Sequence, residues 1–158
     1  MQKLAHPELN AGKERRNKLY YAIIDTNVLV SALLSRIHAT SAPAKIMEYL
    51  YRGNLIPIYN EKIVEEYEDV LSRNKFRFNP ENVRMLIDQI KKIGIHEAKA
   101  VSGECFPDLD DAVFFEVTLA FKEKNQNTYL VTGNLKHFPA KPFVVSPRQM
   151  VDILEERT

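Results

Sequence analysis

Tyr20 to Leu34 reads "YYAIIDTNVLVSALL", a short run of β-forming residues that ends in a lone carboxylate, Asp25, and passes at once into an apolar helical pattern. An aspartate at that junction has two readings. It caps the following helix by accepting from free backbone N–H groups, or it is one ligand of a metal site assembled from distant parts of the chain. The segments on either side bear on the choice.

Outward from this stretch, short β-rich runs alternate with longer helical patterns. The spacing predicts strands at Tyr20–Ile24, Leu55–Tyr59, Thr128–Val131 and Phe143–Val145, with a weaker one within Ile95–Val101. Helices are predicted over Asn27–Leu34, Pro43–Arg52, Glu61–Arg73, Pro80–Ile93, Asp110–Lys124 and Pro147–Glu156. Alternation of this kind implies an α/β fold in which a central, mostly parallel sheet of about five strands is flanked by helices on both faces. In such folds ligands bind beyond the carboxyl ends of the strands. Asp25 and the "TGN" turn from Thr132 to Asn134 both fall at such ends.

The bulk properties narrow the function classes. A chain of 158 residues, 45% of them hydrophobic and only five of them glycine, is a single globular domain with room for a full core. With 22 basic and 21 acidic residues the net charge is +1, so any attraction to nucleic acid must come from a local patch. Residues 1–18 hold five Lys/Arg against two Glu and have no sustained apolar period, so they read as a polar basic arm before a domain over residues 19–158. Apolar runs are far shorter than a bilayer span and the N-terminus has no secretory apolar core, which points to a cytoplasmic protein without a membrane partner. A lone cysteine, Cys105, agrees with a reducing compartment and reads as a small, partly buried apolar residue. His6, His38, His96 and His137 show no zinc-ligand spacing.

Acidic residues gather in two further segments. In "EKIVEEYEDVLSR" the apolar residues Ile63, Val64, Tyr67, Val70 and Leu71 define an inward face and Glu65 and Asp69 point away from it. At about 100° per residue Glu66 borders this face on one side and Glu68 on the other, and periodicity does not choose between them. In "CFPDLDDAVFFEVTLAF" Asp108, Asp110 and Asp111 surround the first turn of an apolar helix. Capping and the helix dipole account for one or two of them, and the mutual repulsion of three is a cost that a cation would relieve. A calcium loop is disfavoured: counted from Asp108, its glycine and glutamate places hold Val113 and Leu119. "YLVTGNLKHFP" ends a short apolar strand in a hydroxyl, a glycine and an amide, which by itself is an ordinary turn.

Taken together, "IIDTNVLVSALL", "IVEEYEDVLSR", "DLDDAVFFEV" and "YLVTGNLKHF" resemble, in order and approximate spacing, the motifs of PIN-domain proteins, and the likeness extends over residues 20–154. It looks closest to the branch of toxin components of bacterial toxin–antitoxin systems. The resemblance implies a three-layer PIN-like fold and a metal-dependent ribonuclease. It carries catalysis and metal binding onto Asp25, Glu66 and Asp111, with Asp108, Asp110 and Asn134 as further metal-site positions and Thr26, Asn27, Ser31 and Thr132 in support. Many PIN domains have an aspartate where this chain has Asn134, a neutral group. The implied cofactor is Mg²⁺ or Mn²⁺, hard cations that prefer oxygen ligands. The implied partners are an RNA substrate, an antitoxin protein and a second copy of the chain.

The competing expectation is a non-catalytic RNA- or protein-binding module whose acidic site has decayed, with Asn134 as the symptom. A phosphatase with Asp25 as nucleophile is weaker, since its acid/base aspartate would fall at Asn27 and Glu66 would have no role. RNA approaching an acidic pocket needs a basic rim, for which Arg36, Arg73, Lys75, Arg77, Lys136 and His137 are the candidates. "SRNKFRF" also interleaves cations with Phe76 and Phe78, which could stack on bases, although packing on the core is the stronger expectation for those rings.

Overall fold

A computed structural model describes residues 18–35, 40–99, 102–106 and 108–156. The basic arm up to residue 17, together with Arg36, His38 and Val101, lies outside them. Five strands, β1 (Tyr20–Ile24), β2 (Leu55–Tyr59), β3 (Ile95–His96), β4 (Thr128–Val131) and β5 (Val144–Val145), form one parallel sheet in the order β3-β2-β1-β4-β5. The helices are α1 (Thr26–Leu34), α2 (Ala42–Arg52), α3 (Glu61–Leu71), α4 (Pro80–Ile93), α5 (Leu109–Lys122) and α6 (Pro147–Glu156). They flank the sheet to give a three-layer α/β fold.

β1 is the hinge of this topology. From it the chain moves outward through β2 to β3, then crosses back to β4 and on to β5, so the border between β1 and β4 is the switch point where such sheets form their sites. Ala22, Ile23 and Ile24 are all fully buried, as a strand covered on both faces requires. The register pairs Ile24 with Val131, which makes Asp25 and Thr132 the first residues beyond two adjacent strand ends. The Asp25 N–H still bonds to the Val131 carbonyl at 2.9 Å, and Thr132 N–H to that of Val145 at 2.9 Å, so the sheet holds both residues at its mouth.

Periodicity places the other faces. α3 buries Ile63, Val64, Tyr67 and Leu71, and α4 buries Val83, Leu86, Ile87 and Ile90. α5 packs on β1 and β4 and buries an unbroken run from Val113 to Thr118, because it has neighbours nearly all round. α2 packs on α1 and α6. Gly94 joins α4 to β3 where a Cβ would lie 2.5 Å from the Ile90 carbonyl oxygen and 2.6 Å from that of Pro57, a gap that no side chain fits.

Several helix ends and the start of β5 shift by one or two residues from the sequence reading. α3 stops at Leu71, two residues short of Arg73, and a 3₁₀ turn over Asn74–Phe76 follows, with Arg77 in the left-handed region at φ 54°. The weak strand is only two residues long. Cys105 is exposed rather than partly buried. Phe78 packs against the core, while Phe76 stacks on Phe78 with the rings 11° from parallel. Among the described residues no helix is long and apolar enough to cross a membrane.

Candidate metal centre

Asp25 occupies the N-cap position of α1, yet its side chain makes no cap bond. Its Oδ2 instead accepts the Thr132 hydroxyl at 2.7 Å and the Asn27 amide at 3.0 Å. Asn27 is held in turn, since its Oδ1 accepts the Gly133 N–H at 3.0 Å. A Cβ on Gly133 would sit 3.3 Å from the same oxygen, a tight contact that the glycine avoids. Thr132 Oγ1 also accepts the Asn134 N–H at 2.9 Å. The ends of β1 and β4 are thus laced by three side chains from two of the sequence motifs. From below, the buried Tyr67 hydroxyl donates to the carbonyl of Ile24 and pins the last residue of β1.

Asp25 is only 6% exposed. Burial pushes its carboxyl above the ordinary range, while the Thr132 hydroxyl, the Thr26 N–H, the His137 charge and the Asn27 amide pull it back. Asp111, in the first turn of α5, is pushed up to about 6 by burial and by the charges of Asp25 and Asp108, with His137 opposing. His137 Nδ1 stands 3.5 Å from Asp111 Oδ2. Thr26 Oγ1 is the buried side-chain polar atom without a hydrogen-bond partner among the described residues, and it belongs to the residue next to Asp25.

Glu66 comes from the middle of α3. It is half-buried whereas Glu68 is exposed, which separates the two candidates that periodicity left level. Its carboxyl is raised by burial and by Asp110, Asp69 and Asp108, with Arg73 opposing. The first turn of α5 meets both: the Asp25 charge acts on Asp111, and the Asp110 charge acts on Glu66. Asp108 is a true cap: its Oδ1 accepts the Asp110 N–H at 2.9 Å. Asn134 is exposed and begins a short 3₁₀ turn without a side-chain cap bond. Ser31 is exposed on α1, one turn beyond Asn27. Surface hollows of about 560, 550 and 470 Å³ are lined by other residues, so neither Asp25 nor Asp111 lies in them.

Among the described residues no group of three or more His, Cys, Asp and Glu is gathered tightly enough to hold a metal ion unaided. The donors nevertheless fit Mg²⁺ or Mn²⁺ in the manner usual for these ions, which bind one or two carboxylates and complete their shell with water and substrate phosphate. Asp25 and Asp111 would be that pair, and a cation would relieve the repulsion between two carboxyls that are both raised above their ordinary values. Two contributors escape a reading of sequence alone. The grip of Tyr67 on β1 joins residues 43 positions apart, and the contact of His137 with Asp111 joins two different motifs.

A family model described as "PIN domain" matches residues 21–136, from the second residue of β1 to the turn after β4. No curated protein and no solved structure gives a match. Domains of this family have a nuclease-type fold and usually use divalent metals. On a match that covers most of its length and spans the strand ends just described, the chain belongs to the PIN domain family.

Proposed function

We propose that the protein is a Mg²⁺- or Mn²⁺-dependent endoribonuclease, the toxin component of a toxin–antitoxin system, acting in the cytoplasm and restrained by an antitoxin protein. The observation that carries the catalytic part is Asp25: a buried carboxylate at a helix start that does not cap, turned instead toward Thr132 and Asn27 at the switch point of the sheet. The toxin assignment rests on the order of the four motifs and their likeness to that branch of the family.

In this reading Thr132 and Asn27 fix the orientation of Asp25, and Gly133 fixes Asn27. Asp111 supplies the second carboxylate from the first turn of α5. Glu66, whose carboxyl feels the Asp110 charge, adds negative charge that helps attract a cation. The bound metal would activate a water and neutralise charge on the phosphodiester. In the same reading Thr26, Ser31, Asp108, Asp110 and Asn134 take supporting or outer roles.

The test is a panel of single-stranded and structured RNAs incubated with the full chain in Mg²⁺, in Mn²⁺ and in excess chelator. The account predicts cleavage that needs the metal and is lost in Asp25→Asn. One other reading, a binding module with a decayed site, is favoured by the finding that, among the described residues, no three His, Cys, Asp or Glu side chains are gathered tightly enough to hold a metal. Absence of cleavage across the panel, with RNA binding intact, would select it.

A further inference from the structure

A second site lies where α3 ends and α4 begins. Its hollow of about 550 Å³ has an apolar floor of Leu71, Val83 and Ile87, with Phe78, Arg77 and Arg84 at its edge. The floor residues are buried, and Phe78 is partly exposed. Arg73, also in the lining, is engaged by Asp69 at 3.1 Å. Arg77 and Arg84 are exposed and form no ion pair among the described residues, although the acids Glu68 and Asp88 line the same hollow. Asp88 is one helical turn from Arg84 and leaves it unpaired. The left-handed backbone at Arg77, φ 54°, sets the two flanking rings, Phe76 and Phe78, side by side at 5.4 Å, with Lys75 over Phe76 at 5.0 Å.

An apolar floor, a partly exposed ring and two uncommitted guanidinium groups match the chemistry of a nucleotide: a flat base that stacks and a phosphate that accepts from arginine. The hollow also borders the helix that carries Glu66: Glu68 and Arg73 line it, and the Arg73 charge reaches Glu66. Resting on the ribonuclease reading above, we propose that this hollow is a nucleotide subsite, holding one base and its phosphate from a single-stranded RNA whose scissile bond lies at Asp25 and Asp111. Arg77 and Arg84 take the phosphate and Phe78 takes the base.

The experiment separates binding from cleavage. Fluorescence anisotropy of a labelled single-stranded RNA is measured with the Asp25→Asn chain in chelator, so that no turnover occurs, and again with Arg77→Gln and Arg84→Gln added. Loss of both arginine contacts to that one phosphate should weaken binding about tenfold and flatten the salt dependence by about 0.7 in log–log slope. Phe78→Leu keeps the apolar packing and removes the ring, and should weaken binding about fivefold without changing that slope. Adenosine monophosphate should shift the backbone amide resonances of Val83 and Arg84, which would show that the subsite recognises the nucleotide unit itself. Unchanged affinity and slope in the double arginine variant would overturn the inference even if the wild type cleaves RNA. Arginine-dependent binding in a wild type that cleaves nothing would uphold the subsite and sink the nuclease reading. Shifts at Val83 and Arg84 with an acidic peptide but not with RNA would overturn the inference in favour of a protein ligand.

Discussion

Asp25 and Asp108 both stand at the N-cap of a helix, and they are used in opposite ways. Asp108 is exposed and spends its carboxylate on the Asp110 N–H, the ordinary use of aspartate at a helix start. Asp25 is buried, makes no cap bond and is held by side chains from its own helix and from the neighbouring strand end. Removing a carboxylate from water costs free energy unless it is well bonded, so the fold tolerates Asp25 only because Thr132 and Asn27 are in place. The lesson is that a capping position does not define a role. What separates the two is whether the carboxylate satisfies the backbone or is kept for something else.

The largest expected effect follows directly. Asp25→Asn should lower metal-dependent RNA cleavage by about a thousandfold, the scale of losing a main electrostatic contributor at a reacting centre. Asp108→Asn should stay within a few-fold of wild type, since an amide caps as well as an acid. Equal losses in a side-by-side rate measurement would erase the distinction.

Stability should run the other way. Asp108→Ala removes a real cap and should cost about 1 kcal/mol in denaturant unfolding. Asp25→Asn should leave the metal-free chain at least as stable as wild type, because it removes a desolvated charge that repels Asp111.

The pH dependence sharpens the same contrast. Asp111 is raised from 3.8 to about 6 in the folded protein, so between those values the native state keeps a proton that the unfolded chain has released. This group's contribution to stability is therefore full below about pH 4, falls as pH rises toward about 6, and is flat above. In the metal-free protein Asp111→Asn should remove that decline from a series of thermal melts. Millimolar Mg²⁺ should oppose it, since a cation favours the charged carboxylates. A wild-type melting series without any Asp111-dependent fall over that range would contradict the coupling to Asp25.

The smallest effect is expected at Asn134, exposed and without a side-chain cap bond. Asn134→Asp adds an anionic oxygen in nearly the same volume and should lower the Mg²⁺ concentration needed for half-maximal cleavage by a few-fold, with little change once metal saturates. An unchanged metal requirement would show that position 134 is no ligand.

Much of this architecture was legible in the residues. β1, β2 and β4 coincide with the β-rich runs, because a strand buried on both faces carries a continuous apolar signature. Helix ends were off by one or two residues, as at α3, where the chain leaves the helix at Ser72 even though the polar run continues to Arg73. The strand end at Asp25 and the turn at Thr132 could be placed at one mouth from the α/β alternation alone. Their direct bond depends on β4 lying beside β1, a crossover that no local pattern encodes. Glu66 against Glu68 was beyond periodicity because both border the buried stripe, and only the folded chain half-buries the first and exposes the second. His137 looked like a rim cation, and its place 3.5 Å from Asp111 depends on the short 3₁₀ turn after β4.

The central claim is that the non-capping aspartate, with Asp111, gathers a divalent cation. Paramagnetic broadening of backbone amide resonances by substoichiometric Mn²⁺ reads this directly, because the effect falls off steeply with distance from the ion. The account predicts that signals of Asp25, Thr26, Asp111 and Thr132 vanish first in the wild type, and that Asp25→Asn removes this pattern while Asp108→Asn leaves it. Broadening centred instead on Glu66, Asp108 and Asp110, and unchanged in Asp25→Asn, would contradict it.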